Sequence, residues 1–187
     1  MGVEINTVRF GKIIISQGEK INFPEGLLGF SQYTDFCLVD PQDDTLILWL
    51  QSIQEPSLAF PVLEPKIFYP SYIVRLSALE LRQLQLSNIN ESVVFSVITI
   101  PSDVTQMTAN LKAPLAVNLK NQIGRQVVLQ ENEYSIRFEM FKELRAHLMT
   151  IQAQNKPTGT KEQTAGQCSP VLIQDISPSN LVRPLNA

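Results

Sequence analysis

Histidine is almost absent and cysteine is scarce. Across 187 residues there is one histidine, His147, and there are two cysteines, Cys37 and Cys168, far apart and in no CxxC pair. A structural zinc site takes about four such ligands, so no metal centre is expected. The thiols read as buried or idle in a reducing cytosol. A serine or cysteine hydrolase needs a histidine base beside its nucleophile, and His147 falls on a predicted helix surface. Neither a GxxxxGK[ST] loop nor a GxGxxG is present, so nothing cradles a phosphate. The longest uncharged apolar run, VVFSVITI over 93–100, is far too short to span a bilayer. The opening MGVEINTVRFGK has no basic patch followed by an apolar core, so no secretory signal is expected. Gly2 is not followed by the myristoylation pattern, because Asn6 stands where Ser or Thr is required. These gaps leave no expected membrane span, cofactor or catalytic group.

What is present is a β-rich core. Apolar residues make up 44% of the chain, enough for one domain and a tail. Val3 to Asn6 and Lys12 to Ile15 read as two strands joined tightly at Gly11, and Lys20 to Phe23 as a further extended piece. PEGLLGF (24–30) is a structured loop, apolar enough to pack back on the body. FCLVD (36–40), LILWLQS (46–52) and LAFPVL (58–63) are strands, with Pro61 expected on an edge or at a bulge because it lacks a ladder donor. IFYPSYIVRL (67–76) reads as extended with a break at Pro70. Ser77 and Glu80 form a capping box that opens a short helix over 78–86. VVFSVITI is a buried strand, LKAPLAVNL (111–119) and RQVVLQ (125–130) form a hairpin, and YSIRF (134–138) is the last strand.

Short strands separated by turn signals predict a mainly β, compact antiparallel barrel-like domain over 1–138. From 139 the period changes. Phe141, Leu144, Leu148 and Ile151 make an amphipathic helix over 139–154, its apolar stripe expected against the barrel. Residues 155–187 read as a flexible tail carrying one apolar island, PVLIQDI (170–176).

The polar residues inside apolar strands (Gln51, Ser52, Asn110, Asn118, Gln126) must find hydrogen-bond partners or cost stability. Asn110 and Asn118 flank Pro114, where ladder donors are missing, and are expected to clamp a barrel corner. Charge is uneven. Residues 1–60 set three cations (Arg9, Lys12, Lys20) against eight carboxylates, while the whole chain is −3. That argues against direct nucleic-acid binding and leaves an acidic region able to steer a basic partner. Asp43 and Asp44 are adjacent in a turn and point apart, which does not suit paired acid–base chemistry.

FPEGLLGF (23–30), LWLQSIQEPSLAFPVLEP (48–65), VITIP (97–101), TANLKAPLAVN (108–118) and GRQVVLQENEYSIRF (124–138) occur in that order. Together they resemble the flagellar assembly factor FliW family over about residues 3 to 138. The resemblance implies a non-enzymatic cytoplasmic protein with two alternative protein partners. One is the translational regulator CsrA, whose sequestration frees flagellin mRNA for translation. The other is flagellin itself, which displaces CsrA. On this reading Glu25, Asp43, Asp44 and Glu55 are candidates for attracting CsrA, and Leu27, Leu28 and Phe30 for meeting flagellin's amphipathic helices. The competing reading is a barrel that encloses a small molecule, which requires a hollow interior.

Overall fold

The computed structural model describes residues 2–43, 45–131, 133–154 and 181–182. Strands β1 (Val3–Thr7) and β2 (Gly11–Ile15) form a hairpin of their own. Strands β3 (Lys20–Asn22), β4 (Asp35–Val39), β5 (Leu48–Ser52) and β6 (Ala59–Leu63) then run as an antiparallel meander. Helix α1 (Ala78–Gln83) precedes β7 (Val93–Thr99), β8 (Thr108–Ala109), β9 (Leu115–Asn118), β10 (Ile123–Gln126) and β11 (Phe138–Glu139). Helix α2 (Phe141–Gln154) follows, and β12 (Leu181–Val182) is the last element among the described residues.

Among the described residues, β3, β4, β5, β6, β7, β9 and β10 close into a ring. The closing step from β10 to β3 is parallel, through Ile123 and Asn22; every other step is antiparallel. Closure removes the exposed edges that an open sheet must protect.

Period-2 alternation sorts the side chains onto the two faces of the wall. Phe36 and Leu38 of β4 point inward with Phe23, Leu50, Val62, Phe95, Leu115 and Val117 and fill the lumen. Phe23 and Phe36 meet edge to face at 5.5 Å. Gly124 lies against the Phe23 ring so closely that a Cβ there would fall 2.4 Å from it. The alternate residues Cys37 and Val39 face outward and are buried under the hairpin beside Ile13 and Ile15. FCLV is thus continuously apolar because both faces of β4 are covered. A third cluster lies outside β7 and β9, where Leu63, Ile98 and Ala116 pack beneath Phe68, Tyr72, Leu84 and Met140.

Both asparagines clamp the chain as expected. Asn110 Oδ1 accepts from the N–H groups of Lys112 and Ala113 at 3.1 and 2.9 Å. Asn118 is only 3% exposed. Its Oδ1 accepts from Lys120 and Asn121, and its Nδ2 donates to the Leu84 and Gln85 carbonyls at 2.9 and 3.2 Å. One buried amide therefore ties α1 to the barrel corner.

Several elements differ from the sequence reading. Residues 67–76 form no strand. A 3-10 turn at Pro65–Ile67 starts this stretch, and Tyr69, Tyr72, Tyr134 and Phe138 pack their rings together over the barrel. The Tyr72 hydroxyl donates to the Leu111 carbonyl at 2.6 Å. Ring packing and that bond override the β propensity of the segment. Pro61, as expected, stands where β6 is locally an edge: it pairs with Trp49, but the β7 register begins only at Val62, so its missing donor meets no ladder. The expected strand at 134–138 shrinks to Phe138–Glu139 on β8. Helix α1 ends at Gln83, before the expected 86, and α2 starts at Phe141. The apolar island at 170–176 and Cys168 lie outside the described residues, whereas Leu181 and Val182 form a strand that the tail reading did not anticipate.

Candidate functional site

The meander sends the β3–β4 and β5–β6 connections to one rim of the barrel and the β4–β5 connection to the other. The registers fix this: Asn22 pairs with Asp35 and Gln51 with Ala59 at one end, Lys20 with Cys37 and Val39 with Trp49 at the other. Glu25, Leu27, Leu28, Phe30 and Glu55 therefore share a rim. Asp43 stands on the opposite one, and Asp44 lies outside the described residues.

The 24–31 loop is bent by two glycines with positive φ, Gly26 at +63° and Gly29 at +83°. A Cβ on Gly26 would come within 2.6 Å of the Ser31 Cα, so both conformation and space demand glycine there. The N–H of Gly26 donates to the Phe23 carbonyl, and that of Phe30 to Leu27. This geometry divides the three apolar candidates. Leu27 is 3% exposed and joins the lumen core. Phe30 packs edge to face on Phe60 at 5.1 Å. Leu28 points to solvent, 63% exposed.

Two residues of β10 hold this loop down. The Leu28 N–H donates to Gln126 Oε1 at 2.8 Å, and Gln126 Nε2 donates to the Ala113 carbonyl at 3.1 Å. Arg125 donates to Glu25 Oε1 through a guanidinium N–H, while its buried Nε has no hydrogen-bond partner. Sequence reading marked Gln126 as a polar residue needing a partner but had no signal for Arg125, whose partner is a hundred positions away. Between loop and strand lies a cleft of about 280 Å³, floored by Leu84, Ile123 and Gly124.

The 53–58 connection is pinned from below. Gln51, fully buried, turns its Nε2 toward the carbonyls of Ser52, Glu55, Pro56 and Leu58 at 2.9 to 3.4 Å. Ser52 Oγ accepts from Gln54 and Glu55 at 3.2 and 3.1 Å. Gln54 Oε1 then accepts from Thr34 and Asp35 at 2.7 and 3.0 Å, joining this connection to the end of the β3–β4 loop. Glu55 Oε1 accepts from the hydroxyl and N–H of Ser57 at 2.6 and 3.1 Å, and these bonds hold its carboxyl below the usual glutamate range. On the other rim Asp43 caps its own turn through Thr45 at 2.6 and 3.2 Å. Glu25, Asp43 and Glu55 thus have their directions set by hydrogen bonds and, for Glu25, by an ion pair.

Most of the chain is similar to known proteins. The profile of the FliW protein family matches residues 4–140. The chain belongs to the FliW family. A relative from Bdellovibrio bacteriovorus, named flagellar assembly factor FliW, is 41% identical over 162 residues, covering 87% of this chain and 90% of the relative. One of the same name from Leptospira interrogans is 36% identical over 143 residues, covering 76% and 95%. A crystal structure of a flagellar assembly factor FliW superposes with a TM-score of 0.70 at 30% identity, over 74% of this chain and 97% of that one.

Burial raises the Cys37 thiol to about 12, helped by the nearby Glu19 charge, so it is protonated at neutral pH. Among the described residues no group of three or more His, Cys, Asp or Glu side chains is placed to hold a metal ion. Among them, too, no helix is long and apolar enough to cross a membrane.

Proposed function

We propose that this FliW-family chain acts in the cytoplasm, in flagellar assembly, by binding two proteins in turn rather than by catalysis. It binds CsrA and so relieves repression of flagellin mRNA translation. It also binds flagellin, which couples flagellin synthesis to assembly. The family match over residues 4–140 carries this reading. The packing supports it: with the lumen filled by Phe23, Phe36, Leu50 and Phe95, the wall has its rims and outer face to offer. No observation favours the enclosed small molecule over this.

Within the proposal the apolar and the acidic side chains have different tasks. Leu28, exposed on a loop that is fastened beneath it, meets an amphipathic flagellin helix, with Leu27 and Phe30 holding the loop in place. Glu25, Glu55, Asp43 and Asp44 contribute the field that draws CsrA, a steering effect that salt screens over about 8–10 Å.

The test is binding of purified chain to purified CsrA and purified flagellin, with association followed at low and raised salt. Joint charge reversal at Asp43 and Asp44 should slow CsrA association at low salt and matter little at high salt. Unchanged association would reject the steering role; absence of binding to both proteins would reject the function.

A further inference from the structure

The closed ring leaves a stretch of strand edge over on β4. Pairing of β3 with β4 stops at Lys20 and Cys37, but β4 continues to Val39 and remains paired with β5 through Val39 and Trp49. Past Cys37, the β3-side edge of β4 thus has no neighbour from the ring. Bare backbone groups there would be a template for strand addition. That place is filled. β12 lies parallel to β4, Leu181 opposite Leu38 and Val182 opposite Val39. It also lies beside β2, so it occupies a slot between the hairpin and the barrel wall. The slot has an apolar floor, where Cys37 and Val39 are fully buried with Ile13.

The chemistry of the occupant fits such a slot. A leucine and a β-branched valine suit a pleated apolar surface. Pro184 follows two residues after Val182 and cannot continue a ladder. A parallel neighbour in the same chain requires a long connection, and residues 155–180 supply the length.

We propose that the β3-side edge of β4 at Leu38–Val39 is a strand-docking site, and that the chain's own Leu181–Val182 segment is its detachable occupant. Two register pairs hold the segment. The ring closes without it, so its departure breaks its own rungs and leaves the barrel ladders intact. The vacated edge then presents the same backbone groups and the same apolar floor to any extended segment of like chemistry. The Leu181–Val182 segment is in this way a built-in competitor for strand addition at β4.

Amide hydrogen exchange on the full chain tests this, comparing the wild type with the Leu181→Asp, Val182→Pro double variant. Exchange at Leu38 to Asp40 should speed up about tenfold, while the ring amides of β5 and β9 keep their rates. A synthetic peptide spanning Ser177 to Leu185, added to the variant, should restore slow exchange at those amides, and the same peptide with both substitutions should not. Unchanged exchange in the variant overturns the proposal, as does failure of the wild-type peptide to protect. Val182→Ala, a milder change, should give an intermediate rate; a wild-type rate there counts against it. If sedimentation shows that protection at Leu38 to Asp40 tracks formation of a dimer, the segment comes from a second copy and its assignment to the same chain fails.

Discussion

The 24–31 loop and helix α2 each carry a short run of apolar side chains to the outside of the barrel, and the loop is fastened along its length. Leu27 enters the lumen core, Phe30 meets Phe60 edge to face, and Gln126 and Arg125 tie the backbone and Glu25 to β10. Helix α2 is anchored at its start, by buried Met140 and by Leu144 against the outer core. Farther along, Leu148 and Met149 are 38% and 53% exposed. Anchoring on both sides of Leu28 lets the loop present one apolar side chain in a fixed position. The first turn of the helix is packed on the barrel, whereas Leu148 and Met149 stand in solvent. A partner that binds at Leu28 meets a pre-organised contact, and little ordering remains to be done on binding.

Substitutions at neighbouring leucines give the sharpest contrast. Leu27→Ala should cost about 2–5 kcal/mol of stability, the range for emptying a packed core site, measured by urea denaturation. Leu28→Ala should leave stability within about 0.5 kcal/mol, as for exposed positions. Equal losses at the two sites would mean that the loop does not separate anchor from contact. Next in size is Gly26→Ala. A non-glycine residue held at positive φ costs about 1–3 kcal/mol, and the contact with Ser31 adds to it. The loss should appear in the thermal midpoint together with faster amide exchange at Phe30, whose N–H closes the loop.

Asn118→Ala should cost about 1–3 kcal/mol, since the Leu84 and Gln85 carbonyls lose a buried donor. The smallest effect concerns pH. The Glu55 carboxyl is held below its ordinary value of 4.5 by Ser57. Its bonds therefore favour the folded turn above the unfolded-state value, and this contribution is lost as pH falls through the lower folded-state value. The Ser57 amide resonance should shift with a midpoint below 4.5, and Glu55→Gln should remove that transition.

Much of the wall was legible in the sequence because alternation, turn residues and the capping box are local signals. The hairpin at 3–15, the strands around Phe36, Trp49 and Val94, and the clamps at Asn110 and Asn118 follow from such signals. Less legible were features set by partners distant in the chain. Tyr72 is drawn out of a strand by Leu111 and Tyr134, and Pro61 is tolerated because β7 has not yet joined its neighbour. At the candidate site, the glycines of PEGLLGF announced a loop, but nothing local told Leu27 from Leu28. That division depends on the lumen core, assembled from distant strands, that Leu27 joins. The pairing of Arg125 with Glu25 and the seat of Leu181 on β4 likewise need three dimensions.

The most direct measurement is titration of purified flagellin and purified CsrA into the full chain, wild type beside Leu28→Asp, with thermal melting of both. Wild type should bind each protein. Leu28→Asp should melt like wild type yet bind flagellin about tenfold or more weakly, a loss of about 1.4 kcal/mol. Undiminished flagellin affinity at Leu28→Asp, or a wild-type chain that binds neither protein, would contradict a filled barrel that works through its outer rim.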